Sequence, residues 1–166
     1  MSYFMCNFKQ QPLTIMRQPT NDSYKIENTN LKKLHFAEAV YRLRKKKEYA
    51  KYDLKSACVA ACNQGAPQYY VTAKHALERY SQWKRLGDIE NVSECDRRKF
   101  MEIFEKYEAE RIKMPRENQK FSCMLNVLTS PASSYFISEG GILDFYYRAI
   151  MYKRSLARKK QCCTSS

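Results

Sequence analysis

An aromatic element, Tyr69-Tyr70-Val71-Thr72, returns 66 residues later as Tyr135-Phe136-Ile137-Ser138. The same offset carries Ala66 to Ala132, Leu77 to Leu143 and Tyr80 to Tyr146. Upstream it carries Lys33 to Lys99, Leu34 to Phe100, Tyr41 to Tyr107 and Ser56 to Ser122. Four similar residues in a row arise by chance; matching flanks in matching order rarely do. The chain therefore reads as one unit used twice, and whatever one half folds into constrains the other. Within the element, two aromatics anchor a link in the core and the β-branched residue favours an extended backbone. Thr72 or Ser138 then caps the helix that follows. Capping explains the hydroxyl without a ligand, so the element reads as scaffold.

The remainder of each half reads as helix. Gly and Pro number only 4 and 5, and long runs of Lys, Arg, Glu, Ala and Leu favour helix over strand and turn. A first helix is expected from Asn30, with Leu34, Phe36, Val40 and Leu43 at roughly helical spacing. A second runs from about Asp53 to Gln64, rich in Ala and Cys, with Gly65 at its end. Thr72 caps a third through Leu86, where Leu77, Tyr80 and Lys84 share a face. Ser93 caps a fourth over 94–113, striped by Phe100, Ile103, Phe104 and Tyr107. A fifth covers about 118–129, and a last helix follows Ser138 to about Gln161.

The expectation is an all-α fold of six main helices in two pseudo-repeated three-helix halves, each with an extended aromatic link before its third helix. Residues 1–29 read as an irregular arm, 30–161 as a single helical domain with half-repeats of about 30–92 and 93–161, and 162–166 as a frayed tail. The halves are expected to pack through 53–64 and 118–129 and through the two links.

The doubled pattern Ala-Pro-x-aromatic-Tyr-[Val/Ile]-[Ser/Thr], seen at Ala66 to Thr72 and again at Ala132 to Ser138, resembles an element of small, uncharacterised basic proteins of gut bacteria and their mobile elements. The likeness spans about residues 31–160, and the second copy departs by placing Ser133 where the first has Pro67. The resemblance implies the doubled architecture and adds no chemistry.

Charge supplies the functional expectation. The chain carries 30 Lys plus Arg against 17 Asp plus Glu, a net +13. So large an excess repels itself unless a polyanion or counterions relieve it. The excess is concentrated at two places. Residues 31–55 hold nine basic side chains, among them Arg42, Arg44, Lys45, Lys46, Lys47 and Lys51, against three acidic ones. Residues 145–161 hold Arg148, Lys153, Arg154, Arg158, Lys159 and Lys160 and no acid. Tyr41, Tyr49, Tyr52, Tyr146, Tyr147 and Tyr152 lie among them. Lys and Arg neutralise phosphates, and Tyr stacks on bases or bonds phosphate oxygens. These residues are the expected contacts of a non-catalytic, non-specific DNA or RNA binder. Lys dominates and is a poor bidentate reader, so phosphate contact is expected over base reading. A solvated basic surface with no partner explains the same charges.

Other readings stay open. The helices flanking each link loosely suggest a helix-turn-helix, in which Lys74, His75, Arg79 and Gln82 would face a groove, but the link of about seven residues is long for that motif. A structural or adaptor protein of a phage or mobile element, using the 1–29 arm on a protein partner, is the alternative function. An enzyme would need a pocket joining Cys58, Cys62, Cys95 or His75. No phosphate-binding loop, dinucleotide fingerprint, nucleophile elbow or carboxylate pair is present in the sequence. Cys58 and Cys62 share a helical face without a second ligand pair, so no metal and no cofactor are expected. The odd count of 7 Cys, the lack of a signal-like N-terminus and the lack of a long apolar run point to a cytoplasmic protein without a transmembrane segment. Cys163-Thr164-Ser165-Ser166 has the form of a prenylation box, but its middle residues are not aliphatic.

Overall fold

The structure is a computed structural model that describes residues 21–113 and 119–164. Six α-helices appear in order: α1 Asn21–Lys45, α2 Leu54–Asn63, α3 Ala73–Leu86, α4 Glu94–Lys113, α5 Lys120–Thr129 and α6 Ile142–Thr164. Short 3-10 turns at Lys47–Tyr49 and Glu139–Gly141 lead into α2 and α6. The fold is all-α, with no strand among the described residues.

Three helix starts follow the sequence. The Asp53 carboxylate accepts from the Ser56 amide at 3.0 Å, Thr72 Oγ1 from the His75 amide at 3.3 Å, and Ser93 Oγ from the Asp96 amide at 3.1 Å. Each satisfies a donor that the first helical turn leaves without a partner. Gly65 and Gly87 end α2 and α3 at φ 94° and 72°, the left-handed region that glycine enters without steric cost.

The chain ends need correction. α1 starts at Asn21 rather than Asn30, so residues 21–29 are helical and not part of an irregular arm. Asn and Thr weaken a helix by competing for backbone groups, but Thr29 sends its hydroxyl back to the Lys25 carbonyl at 2.9 Å and leaves the helical bonds in place. At the other end α6 continues through Thr164, beyond the expected stop at Gln161, on the helix-favouring run Ala157 to Gln161. Residues 1–20 of the expected arm and 165–166 of the expected tail lie outside the described residues.

The two links meet at the centre. Ala66 and Ala132 exchange both backbone hydrogen bonds at 2.9 Å as an isolated antiparallel bridge. On either side of it, the Tyr69 amide donates to the Leu128 carbonyl at 2.9 Å and the Tyr135 amide to the Cys62 carbonyl at 3.1 Å. The aromatic rings cross in the same manner: Tyr69 stacks with Phe136 (6.4 Å) and Tyr70 with Tyr135 (6.2 Å). Every one of these contacts is carried into its counterpart by the 66-residue offset. Gly65 is needed here a second time, because a Cβ on it would lie 3.0 Å from the Ala132 carbonyl oxygen.

This crossing corrects the expected packing. The main partners of α2 are α1 and α6, and those of α5 are α4 and α3. α1 and α2 are thus completed by α6, and α4 and α5 by α3, so α2 against α5 is not the principal contact. With the two links tied at Ala66 and Ala132 just ahead of α3 and α6, each of those helices lies against the pair it does not follow in sequence. One core results, filled from α1 by Phe36, Val40 and Leu43, from α4 by Phe100, Ile103, Phe104 and Tyr107, and from the links by Tyr69 and Tyr135.

The offset itself changes along the chain. Tyr41 is 51% exposed although Tyr107 is buried. The buried sets Phe36, Val40, Leu43 and Phe100, Phe104, Tyr107 correspond at an offset of 64 instead. The stretch from Tyr107 to the buried Cys123 is two residues longer than that from Leu43 to the buried Ala57, which restores 66 from α2 onward. On α3 the buried face is Ala73, Ala76 and Tyr80, while Leu77 is half-buried and Lys84 exposed.

Candidate functional site

α1 and α6 pack side by side, and this contact joins the two basic segments. The joint is Tyr41. Its exposed ring has the Lys45 ammonium of its own helix at 4.5 Å and the Lys153 ammonium of α6 at 5.8 Å, both within cation–π range. Glu38, one turn back, accepts from Arg42 at 3.1 Å and from Lys153 at 3.4 Å. Those hydrogen bonds hold the Glu38 carboxyl below its ordinary range, with Arg42 the larger influence. A second cation–π contact across the same seam places Lys33 over Tyr152 at 5.5 Å.

Of the expected phosphate contacts, Arg42, Lys153 and Arg148 are engaged by carboxylates, Arg148 by Asp144 at 2.6 Å. Arg44, Lys46, Lys47, Lys51, Arg154, Arg158 and Lys159 are exposed and in no ion pair among the described residues. Lys160 lies on α6, its side chain outside the described set. Among the interleaved tyrosines, Tyr41, Tyr52 and Tyr147 are exposed and Tyr49, Tyr146 and Tyr152 half-buried. α1, the connection that follows it and α6 therefore present exposed cations in no ion pair among the described residues, together with exposed tyrosine rings.

The repeat element Tyr69, Tyr70, Val71, Thr72, Tyr135, Phe136, Ile137, Ser138 lies at the bridge, and its two copies differ in detail. Thr72 caps α3 as expected. Ser138 makes no side-chain cap: the 3-10 turn intervenes, with the Gly141 amide on the Ser138 carbonyl at 3.0 Å, and α6 begins at Ile142. Phe136 adopts φ 49°, and the Ser134 hydroxyl accepts from its amide at 3.0 Å.

A hub that the sequence did not disclose sits beside the links. Glu102 of α4 receives the Tyr69 hydroxyl, the Ser133 amide at 3.0 Å, the Ser133 hydroxyl and the Lys106 ammonium at 3.2 Å. Burial pushes its carboxyl up, but those donors together hold it below the ordinary range. The missed signal was the departure at Ser133, which supplies the amide that Pro67 lacks.

The helix-turn-helix arrangement is corrected by the same crossing, since α3 takes α5 and α4 as its main partners rather than α2. Lys74, His75 and Arg79 instead line a cleft with residues of α1 and α4, and Gln82 lines a shallow neighbouring one. Cys58, Cys62 and Cys123 are buried and Cys95 half-buried. His75 lies in the cleft with none of them among its lining residues. Among the described residues, no three His, Cys, Asp or Glu side chains are grouped to hold a metal, and no helix is long and apolar enough to cross a membrane. Comparison with protein families, curated proteins and solved structures found no match to the chain.

Proposed function

We propose that this protein binds nucleic acid without catalysis, through phosphate contacts made by the C-terminal part of α1 and by α6. The observation that supports the reading most directly is Tyr41 between Lys45 and Lys153, which makes one surface of two basic segments far apart in sequence. Arg44, Lys46, Lys47, Arg154, Arg158 and Lys159 are left to meet phosphates, and exposed tyrosine rings to stack. Within this reading the chain is a tandem duplication whose halves exchange their third helices. The exchange brings the first helix of one half beside the last helix of the other. A cytoplasmic location belongs to the same reading.

Mobility-shift titration with random duplex and single-stranded DNA tests it. Arg154→Glu/Arg158→Glu and Lys46→Glu/Lys47→Glu, at exposed positions, should each weaken binding while leaving the melting temperature in place. Full binding by both variants would remove the proposed surface.

A protein-binding adaptor is the second reading, favoured by one observation. Phe121 and Leu125 of α5 are 53% and 42% exposed and line a cleft with Val71 and Leu128. Partners retained in a nuclease-treated pull-down and lost on Phe121→Ser would favour the adaptor.

A further inference from the structure

Away from the α1–α6 surface, a cleft of about 420 Å³ opens between α1, the start of α3 and the start of α4. That volume falls in the roughly 300–1,000 Å³ of small-molecule sites. Its cations come from three helices: Lys25 of α1, Lys74 and Arg79 of α3, and Lys99 of α4, with the His75 imidazole among them. Its acids are Glu78, 3.9 Å from His75, and Asp96, 2.6 Å from Lys99. Arg79 is held in place by Gln82 at 2.9 Å and by the Glu90 carbonyl at 3.2 Å. Lys25 and Lys74 are exposed and in no ion pair among the described residues. Tyr70 and Phe100 supply an aromatic wall, with the Phe100 ring edge-on to His75 at 5.6 Å.

The scaffold does not demand such a cleft. The 66-residue offset carries Lys74, His75 and Arg79 to Gly140, Gly141 and Phe145. Phe145 packs edge-on against Phe36 at 5.6 Å, with the Lys32 ammonium 5.3 Å above its ring. Where one half places an aromatic ring, the other places Arg79 and leaves open space ringed by cations. The first-turn amides of His75 and Asp96 are already taken by Thr72 and Ser93, so side chains and not helix ends define the site.

We propose that this cleft binds a terminal phosphate monoester on a ligand of about mononucleotide size. Lys25, Lys74 and Lys99 meet the phosphate, and the Tyr70–Phe100 wall meets the rest. A free nucleotide and the phosphorylated end of a strand share that chemistry. The site is separate from the α1–α6 surface and stands or falls without it.

The test uses the full chain and follows the imidazole resonances of His75. Binding of AMP, adenosine, inorganic phosphate, and short strands with 5′-phosphate or 5′-hydroxyl ends is measured by calorimetry. Burial holds His75 below its ordinary value, reinforced by Arg79, Lys99 and Lys25 and opposed by Glu78. A phosphate placed among these groups raises the His75 pKa. AMP is expected to bind at least about tenfold more tightly than adenosine, and Lys25→Glu/Lys74→Glu to weaken AMP by about tenfold or more. Arg154→Glu/Arg158→Glu should leave AMP affinity within about twofold, since the sites are distant. Preference for the 5′-phosphate strand over its 5′-hydroxyl form assigns a strand end, and AMP binding without it a free nucleotide. Equal or absent binding of AMP and adenosine, or a His75 resonance that ignores AMP, overturns the proposal.

Discussion

Glu102 gathers both links onto α4, and its charge is what those donors need. Tyr69→Phe removes one donor to a carboxylate and should cost about 1–3 kcal/mol in chemical denaturation. The Glu102 carboxyl titrates below its ordinary value of 4.5 in the folded protein. Its contribution is therefore complete above that value and is lost as pH falls through the lower folded one. The acid loss should be shallower in Glu102→Gln, read from denaturation midpoints between neutral and acid pH. Lys32 behaves oppositely. Burial, and next the Lys99 ammonium, push its amine down to about 8 from 10.5. The unfolded chain then holds more protons between those values, so stability rises with pH across that window. Lys32→Met should be more stable than the parent at neutral pH, and the difference should shrink as pH climbs from about 8 to 10.5. A constant difference would contradict the assignment. Neither residue was legible in sequence, because both owe their state to neighbours distant in the chain, Tyr69 and Ser133 for Glu102 and Lys99 for Lys32.

At the scale of elements, local chemistry was legible where it acts within one turn. Asp53, Thr72 and Ser93 each reach an amide three residues on, and α2, α3 and α4 begin as expected. Ser138 sits in the same sequence context but fails to cap, because Gly140 and Gly141 favour a 3-10 turn that delays α6 to Ile142. Thr72→Ala should therefore cost about 1 kcal/mol. Ser138→Ala should stay within about 0.5 kcal/mol. Equal costs in thermal or urea unfolding would mean that the two links are not as different as their hydrogen bonds. The early start of α1 was hidden by the polar run Asn28, Thr29 and Asn30, whose propensity argues for a break. It has a consequence for function, since those additional turns carry Lys25 to the cleft.

For the whole molecule, periodicity announced six helices but not that α6 packs on α1 and α2 while α3 packs on α4 and α5. A chain ending at Ser130 would lack α6, the partner of α1 and α2, and should lose cooperative unfolding in a denaturant titration. The basic segments were legible as composition; their meeting at Tyr41 was not, because it depends on α6 returning to pack on α1. The measurement that bears most directly on this account is the salt dependence of affinity for a random duplex, parent against Arg154→Glu/Arg158→Glu. If the α1–α6 surface holds phosphates, log affinity falls linearly with log salt, and the slope of the variant is smaller in magnitude by about two. Absent binding at low salt, an affinity indifferent to salt, or identical slopes would contradict it.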